Sequence, residues 1–385
     1  MGSVSSDERV ASVSARRDGI RLALVLWKGD VGGAETLTAT LAERMPELGA
    51  NVTIVFVGNS EPLSERLDRS SIPYASLKLG RGRDLLWHPR MYADAITRCG
   101  PDGALIVERG FMGAALRGGG YRGPIVAVEH GDLLHHLRES NDLARRVNRT
   151  TGAWAVDAEV AVSDFMLTQM LRGAHARRAL RIYNGVDPDT YVASDRVPPA
   201  HAAVIVGFAG RLIPGKGADH LIRACVQLGR RRPVKLLIAG DGPERSRLTA
   251  LAEAVRGETT IEFLGVVDDI PALWQQCDIV AVPSDSFEES FSMVTLEAMT
   301  CGKAIVATRN GAIPELVVDG ITGTLVPQGN VEALADALFT YAEHPELRQQ
   351  HGGAAHARAI SRFHIDACAR AYIDLFVQLA ARRAA

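Results

Sequence analysis

The feature that most constrains the fold of this chain is an alternation that occurs twice along its length. Short apolar runs bounded by Gly or Pro alternate with amphipathic stretches, first between Ile20 and Leu171 and again from Ala203 onwards. Such runs are typical of strands that are buried on both faces, and the stretches between them have helical spacing. The pattern predicts a parallel sheet covered by helices on both faces. Its repetition predicts two doubly wound α/β domains.

The individual elements can be placed from the same pattern. In the first half, the predicted strands are Ile20–Leu26, Asn51–Val57, Gly103–Val107, Pro124–Val128 and Glu159–Val162, and the predicted helices are Ala34–Leu48, Arg138–Thr150 and Asp164–Leu171. In the second half, the predicted strands are Ala203–Ala209, Val234–Ala239, Ile261–Leu264, Asp278–Val282 and Lys303–Ala307, and the predicted helices are Ala218–Arg230, Glu244–Arg256, Ser292–Gly302 and Ala367–Ala380.

Domain boundaries follow from where the alternation stops. Residues 1–19 are polar and lack an apolar core, so we expect a disordered leader rather than a signal peptide. The stretch 187–200 is rich in Pro, Asp and Ser without periodicity, which predicts a linker. The predicted domains are therefore 20–190 and 201–365, followed by a C-terminal helix at 366–385. One alternative is that this helix crosses back to pack on the first domain.

Charge and cysteine usage exclude several classes of protein. The chain has 43 Lys and Arg against 45 Asp and Glu, a net charge of −2, and so lacks the basic excess of a nucleic-acid binder. Its longest apolar runs are well short of the ~20 residues that span a bilayer. The five cysteines are widely spaced with no CxxC pair, which argues against a disulfide framework or a zinc site and fits a cytoplasmic location.

Ligands of doubly wound sheets bind beyond the carboxyl ends of the strands, and with two such domains we expect the site in the cleft between them. Two post-strand loops of the first half stand out. Gly32-Gly33-Ala34-Glu35 begins a predicted helix, where the backbone can approach an anion closely; an ordinary glycine turn is the alternative. Glu129-His130-Gly131 places a histidine at the end of a buried strand, in either an active-site or a structural role.

The loop Gly210–Gly217 in the second half reads GxxxxGK, as in a phosphate-binding P-loop. Gly217, however, stands where a P-loop needs a Ser or Thr hydroxyl for magnesium. What is left is Arg211 and Lys216 on a glycine-rich loop before a helix. This combination suits a phosphate or diphosphate bound without a metal, unless both are solvated surface cations.

Two carboxylates mark the loop and helix that follow the strand Asp278–Val282. Glu289 lies in the loop and Glu297 lies in the helix, where its neighbours three and four residues away are mostly apolar. A carboxylate on an apolar face is costly unless it meets a hydrogen-bond donor, and ligand hydroxyls are good donors. The free amides at the helix start, near Phe291–Met293, favour an anion between the two carboxylates. A solvated surface glutamate is the alternative reading.

Together these residues resemble the GT-B-fold retaining glycosyltransferases of family GT4. The resemblance covers residues from about 20 to about 365, and the motifs stand in the family's order. They are GGAE at Gly32–Glu35, the pair His130-Gly131, the strand end at Ser163, Asn184-Gly185-Val186-Asp187, GRLxxxKG at Gly210–Gly217, GDGP at Gly240–Pro243 and E-x7-E from Glu289 to Glu297.

The resemblance implies two Rossmann-like domains facing each other across a cleft, the first binding the acceptor and the second the nucleotide sugar. The residues implied to act at the reacting centre are His130, Arg211, Lys216 and Glu289. The implied donor-binding residues are Gly33, Arg211, Lys216, Gly265, Val267, Glu289, Ser290, Phe291, Ser292, Met293 and Glu297, with Glu297 on the ribose and Gly265–Val267 near the base. The implied acceptor-binding residues are Gly32, Gly33, His130 and Asn184.

The sequence departs from the family at Ser290-Phe291-Ser292, where Gly-Phe-Gly is frequent. Serine amides still suit a phosphate, but we expect the two side chains to narrow the donor pocket. No DxD motif follows a strand in the manner of a metal-dependent transferase, because Asp187-Pro188-Asp189 opens the linker. We therefore expect no metal and no cofactor, with a nucleotide-diphosphate sugar, favoured as a UDP-sugar on family frequency, as the donor substrate.

Three alternatives stay open. A sugar-nucleotide epimerase on the same fold would need further catalytic carboxylates in the first half, where only Glu129 stands out, and a non-catalytic binding protein would not need the Arg/Lys pair with E-x7-E. A lipid-linked or polysaccharide acceptor at a membrane surface is suggested by the cations Arg138, Arg145, Arg146 and Arg149. Interspersed acids and absent aromatics make a solvated helix the favoured reading. We therefore expect a small soluble acceptor: a sugar, cyclitol or natural-product scaffold.

Overall fold

The computed structural model describes residues 19–29, 32–79, 85, 87–107, 110–130, 154–172, 178–193, 203–255 and 257–384. These residues form two compact units. The first comprises the described residues up to Gly185 together with those from Ile365 onwards, and the second runs from Val186 to His364. Each unit is built on its own parallel sheet.

The first unit contains a seven-stranded sheet with helices between the strands. Its strands are β1 (Arg21–Leu26), β2 (Asn51–Phe56), β3 (Tyr74–Ser76), β4 (Gly103–Val107), β5 (Ile125–Glu129), β6 (Ala158–Ala161) and β7 (Ala179–Arg181). Its helices up to β7 are α1 (Gly33–Arg44), α2 (Leu63–Arg69), α3 (Pro89–Arg98), α4 (Gly110–Gly118) and α5 (Asp164–Leu171), with a 3₁₀ turn at Met45–Leu48.

The strand order in this sheet is β3-β2-β1-β4-β5-β6-β7, and every pair is parallel. The order reverses between β1 and β4. The central strands are buried along almost their whole length because helices cover both faces of the sheet. The loops after β1 and β5 therefore start at the same edge of the sheet.

The second unit repeats the plan with six strands. Its strands are β8 (Val204–Ala209), β9 (Val234–Ala239), β10 (Thr260–Gly265), β11 (Ile279–Val282), β12 (Ala304–Thr308) and β13 (Thr324–Val326). Its helices are α6 (Ala218–Gly229), α7 (Arg245–Val255), α8 (Ile270–Gln276), α9 (Met293–Thr300), α10 (Ile313–Leu316), α11 (Val331–Glu343) and α12 (Pro345–Arg362).

The strand order here is β10-β9-β8-β11-β12-β13, again wholly parallel. The topological switch point therefore lies between β8 and β11, which are hydrogen-bonded neighbours. Helices α6 and α11 supply Leu221, Ile222 and Leu338 to the core that covers one face of this sheet. Because crossover helices leave the carboxyl ends of the strands open, the loops after β8, β11 and β12 meet at this edge.

The last helix, α13 (Ile365–Ala384), packs on the first unit. Arg44 in α1 forms an ion pair with Asp366 at 2.8 Å, and Arg383 near the other end of α13 pairs with Asp157 at 2.8 Å. Between them the ring of Phe376 lies so close to Gly103 that a Cβ there would be 2.3 Å away. Contacts therefore join α13 to the first unit from its first turn to its last.

The predicted α/β fold class of two parallel-sheet domains is confirmed. The predicted helix Arg138–Thr150, and with it the four arginines considered for membrane contact, lies outside the described residues, as do the leader up to residue 18 and residues 194–200 of the predicted linker. Across the part of the chain that is described, no helix combines the length and apolar character needed to cross a bilayer.

Candidate functional site

The two loops at the switch point of the second unit lie directly against each other. Backbone N–H of Asp285, after β11, donates to the carbonyl of Gly215, after β8, at 2.9 Å. Gly217 adopts φ +73°, and a Cβ on it would meet the carbonyl oxygen of Pro283 at 2.0 Å. Glycine is therefore required at position 217 by both conformation and space, which also explains why the P-loop hydroxyl is missing there.

This contact brings Lys216 and Glu289 together. The ammonium Nζ of Lys216 lies 2.7 Å from Oε1 of Glu289, and the hydroxyl of Ser284 donates to the same oxygen at 2.6 Å. The side chains are 18% and 7% exposed, and the ammonium also lies 4.0 Å from the centre of the Phe287 ring. Both bonds fall on Oε1, so among the described residues Oε2 of Glu289 receives no hydrogen bond.

Arg211, five residues before Lys216, is exposed to solvent. Within the described ranges its guanidinium forms no ion pair. The glycine before it, Gly210, has φ +153° and is hydrogen-bonded through its N–H to Ala239 at the end of β9. The same loop therefore presents one half-buried cation that is paired and one exposed cation.

The segment Ser290–Ser292 leads from Glu289 into α9 and is buried. The ring of Phe291 packs edge-on against Phe363 with centroids 5.9 Å apart. The Ser292 hydroxyl caps α9: it accepts from the N–H of Thr295 at 3.3 Å and from the Thr295 hydroxyl at 2.8 Å. The hydroxyl is therefore directed at its own helix, and the expected narrowing of the donor pocket stays a prediction. Met293 is the first residue of α9.

Glu297 lies on α9 and is half-buried. Burial raises the pKa of Glu297 to about 7, partly offset by a hydrogen bond with Tyr191. Tyr191 follows a turn that Asp187 closes, accepting from the N–H of Asp189 at 3.1 Å and from the Thr190 hydroxyl at 3.4 Å. The aspartate that resembles a DxD metal ligand in sequence thus shapes the turn that precedes Tyr191.

The raised pKa makes a testable statement about stability. Unfolding restores the ordinary pKa of Glu297, so its contribution favours the folded state at low pH and is lost as pH rises towards 7. We expect Glu297→Gln to stabilise the protein relative to wild type by about 1–3 kcal/mol more at pH 8 than at pH 5, since one pKa unit corresponds to about 1.4 kcal/mol. Urea denaturation at both pH values measures this. The control is Glu262→Gln, at a half-buried position in β10. A stability difference between Glu297→Gln and wild type that is the same at pH 5 and pH 8 would contradict the expectation.

Gly265 and Val267 lie after β10, two strands from the switch point. Gly265 has φ +71° and accepts a hydrogen bond from the N–H of Gly240 at 2.6 Å, so this loop adjoins the one after β9. Val267 is half-buried and Val266 is 66% exposed. Gly265 thus contacts the loop after β9, which in turn adjoins the Gly210 loop. None of these bonds involves Glu289.

The predicted residues of the first unit lie after its strands. Gly32 is the N-cap of α1, where its carbonyl accepts from the N–H of Thr36 at 2.9 Å, and the carboxylate of Glu35 lies over it. Gly33 is exposed. Their place at the start of a helix that follows β1 agrees with the predicted arrangement, while their contact with a ligand stays a prediction.

His130 and Asn184 occupy different parts of the same unit. His130 follows β5 directly and is half-buried, and burial lowers the pKa of its imidazole to about 4. At neutral pH it is therefore an uncharged hydrogen-bonding group. Asn184 is buried after β7, and its Oδ1 has no hydrogen-bond partner among the described residues.

Two residues that line this site were missed from the sequence. Ser284 binds the Glu289 carboxylate, and Asn310, just after β12, holds the loop that carries Glu289. Both stand at the carboxyl end of a strand in the second unit. Their position after a strand is the signal that could have identified them, because the other predicted site residues were selected on the same basis. A single Ser or Asn without a surrounding motif was not considered as a positioning group.

Two family models match the sequence, one described as "Glycosyl transferases group 1" over residues 195–358 and the other as "Glycosyltransferase Family 4" over residues 31–190. The matches follow each other along the chain and meet at the predicted linker. The chain belongs to the family 4 glycosyltransferases. Its resemblance to that family, inferred from the motifs, is thereby confirmed.

Several similar curated proteins are named D-inositol 3-phosphate glycosyltransferase. The protein from Saccharomonospora viridis is 37% identical over 266 residues, which cover 62% of this chain and 61% of the relative. The protein from Kribbella flavida is 34% identical over 205 residues, which cover 48% and 47% of the two chains. The chain thus matches about three fifths of the first relative's length and about half of the second's.

Solved structures show the fold shared with other glycosyltransferases. A glycosyltransferase from Rickettsia africae is 20% identical with a TM-score of 0.79, covering 94% of this chain and 99% of that one. Anabaena Alr3699/HepE, in complex with UDP and glucose, is 24% identical with a TM-score of 0.78, covering 93% and 100%. The family 4 chain described here therefore has the GT-B fold that was predicted.

Proposed function

We propose that this protein is a retaining, metal-independent glycosyltransferase that moves a sugar from a UDP-sugar to a hydroxyl of a small soluble cyclitol phosphate. The donor is bound in the second unit, at the switch point between β8 and β11. Acceptor binding is assigned to the first unit, through Gly32, Gly33, His130 and Asn184.

The observation that carries the proposal is the pair Lys216–Glu289. A half-buried ammonium and a buried carboxylate meet at 2.7 Å at the carboxyl end of the central strands, where such folds bind ligands. Both protein donors occupy Oε1 of Glu289, which leaves Oε2 to accept a hydrogen bond from a ligand hydroxyl. The ammonium has three N–H groups, and those not used by Glu289 suit a phosphate oxygen. One pair can thus bind a sugar hydroxyl and the adjoining diphosphate.

The reaction follows from the charges. Breaking the bond between the anomeric carbon and the diphosphate oxygen builds positive charge on the sugar and negative charge on the leaving UDP. Lys216, Arg211 and the backbone amides at the start of α9 stabilise the leaving diphosphate electrostatically. The acceptor oxygen forms the new bond on the same face of the sugar. Its proton passes to the departing phosphate oxygen, so no separate base is needed.

His130 acts in this scheme as a neutral group. Because burial lowers its pKa to about 4, it carries no charge at neutral pH and does not compete with the two cations for the diphosphate. A neutral imidazole both donates and accepts a hydrogen bond, which suits sugar hydroxyls near the reacting carbon. Glu297 holds the ribose hydroxyls.

The choice of acceptor rests on the relatives. The curated proteins named above are called D-inositol 3-phosphate glycosyltransferases, and an inositol phosphate is a small soluble cyclitol. This agrees with the soluble acceptor expected from the sequence. The UDP donor is supported by a protein of the same fold whose structure holds UDP and glucose.

The test is a transfer assay with radiolabelled UDP-, ADP-, GDP- and dTDP-sugars and inositol 3-phosphate, with unphosphorylated inositol and anionic liposomes carrying a lipid-linked acceptor as parallel arms. We expect product from a UDP-sugar and inositol 3-phosphate, in an amount that EDTA does not reduce. NMR of the product should show the same anomeric configuration as in the donor. Absence of transfer to any acceptor, release of an epimerised sugar, or product only on the liposomes would each contradict the proposal.

A further inference from the structure

Asn310 sits two residues beyond the end of β12, fully buried beside the loop that carries Glu289. Its side chain is hydrogen-bonded at both ends. The Nδ2 group donates to the carbonyls of Ser284 at 3.1 Å, Asp285 at 3.0 Å and Phe287 at 3.0 Å. Its Oδ1 accepts from the N–H of Glu289 at 3.1 Å. One amide thus binds four backbone groups between positions 284 and 289.

These bonds replace the regular structure that this loop lacks. Between β11 and α9 the chain is in neither helix nor strand, yet much of it is buried. Buried backbone N–H and carbonyl groups need partners, and leaving them unpaired is costly. Asn310 supplies partners that neither neighbouring strand provides.

The residues beside Asn310 secure the other side of Glu289. The N–H of Ala312 donates to the Glu289 carbonyl at 2.7 Å. Gly311 has φ +51°, and a Cβ on it would lie 2.1 Å from that carbonyl oxygen, so only glycine allows the approach. The Thr308 hydroxyl donates to the carbonyl of Ser284. Residues 308–312 therefore hold both ends of the loop.

This arrangement determines where the Glu289 carboxylate lies. Asn310 binds the N–H of Glu289 and also the carbonyl of Ser284, whose hydroxyl donates to Oε1 of Glu289. The carboxylate and one of its two partners are thus placed by the same amide. No charge on Asn310 contributes, since it is a neutral side chain.

We propose that Asn310 is a positioning residue for the donor sugar, which holds the loop 284–289 so that Glu289 presents its carboxylate to a sugar hydroxyl. The inference rests on the proposed contact between Glu289 and the sugar. A displacement of about 1 Å at a reacting group can lower turnover by ~10²-fold. UDP carries no donor sugar, so its binding should be almost independent of Asn310.

The test compares Asn310→Ala and Asn310→Asp with wild type. The aspartate is close in shape and keeps the acceptor for the Glu289 N–H, but it replaces the N–H donors by an oxygen facing three carbonyls. We expect both variants to lower kcat by about 10- to 100-fold. We also expect the affinity for a UDP-sugar, measured by calorimetry, to approach that for UDP alone, while UDP affinity changes by less than about threefold. Because an aspartate here buries a carboxylate against three carbonyls, Asn310→Ser, which is uncharged and keeps one hydroxyl donor, provides a folded variant where the other two unfold.

The control is Asn330→Ala, which removes another asparagine bound to a backbone N–H in the same unit, that of Ala333 at 2.9 Å at the start of α11. It should lower thermal stability and leave kcat unchanged. Equal losses of UDP and UDP-sugar affinity in the Asn310 variants, or an unchanged kcat, would overturn the positioning role. Glu289→Gln separates failure of the proposed sugar contact from failure of the role of Asn310. If this variant keeps the wild-type preference for UDP-sugar over UDP, the contact between Glu289 and the sugar is wrong. If it abolishes the preference and the Asn310 variants do not, only the role of Asn310 is wrong.

Discussion

Replacing Glu289 by glutamine is expected to lower turnover by ~10²-fold or more, because the group that stabilises charge beside the reacting sugar is lost. The amide has nearly the shape of the carboxylate and fits the same space. It has no negative charge, and it leaves the half-buried Lys216 without its ion-pair partner at 2.7 Å. The loss should be larger in kcat than in donor affinity, since the ribose and base contacts of the donor are unchanged. Steady-state transfer kinetics measure this.

The matched control for Glu289→Gln is Glu262→Gln. Glu262 in β10 also pairs with a lysine, Lys235, at 2.9 Å, but both side chains are more than a third exposed. Exposed pairs contribute little to stability and this pair lies outside the site, so the variant should keep wild-type kinetics. Near-normal turnover of Glu289→Gln would remove the sugar contact from the proposal. A similar loss in both variants would point to a general effect of charge.

The fold was predictable because a sheet that is buried on both faces requires strands made almost wholly of apolar residues, and such runs are visible in the sequence. The central strands read as unbroken apolar runs, and Gly103–Val107 and the helix Asp164–Leu171 have the predicted bounds. The three-residue strands β3, β7 and β13 were not predicted. Each lies at a sheet edge and is only three residues long, too short to form a recognisable apolar run, and β3 and β7 are also only half-buried. Helices α11 and α12 were also missed, although α11 has an Asn330 cap typical of a helix start.

The site was predictable only as far as sequence position determines space. Parallel strands end at one edge of the sheet, so loops after neighbouring strands had to meet, and Lys216 and Glu289, 73 residues apart, do form an ion pair. Which atoms bond is decided by side-chain packing. Asn310 reaches back 21 residues to Glu289, and the Ser292 hydroxyl turns towards Thr295 rather than outward. No local pattern specifies either contact.

Removing the charge of Lys216 is expected to lower turnover more than donor affinity. Lys216→Met keeps the length of the apolar stem beside Phe287 but removes the charge. Negative charge grows on the diphosphate as the sugar leaves, so a cation contributes more in the transition state than in the bound donor. We expect kcat to fall by ~10²- to 10³-fold and donor affinity to fall less. Arginine should restore little, because its planar fork does not fit a position that is 18% exposed and bound to Glu289 and Phe287.

Lys235→Met is the control for Lys216→Met, since it breaks an exposed lysine–glutamate pair in the same unit. The double variant Lys216→Met/Glu289→Gln makes the test sharper. If the two side chains act as one pair on the donor, the combined loss in kcat will be much smaller than the product of the single losses, because each single change already disrupts the pair. Fully multiplicative losses would show that the two groups act independently. The mechanism would then need separate partners for the diphosphate and for the sugar hydroxyl.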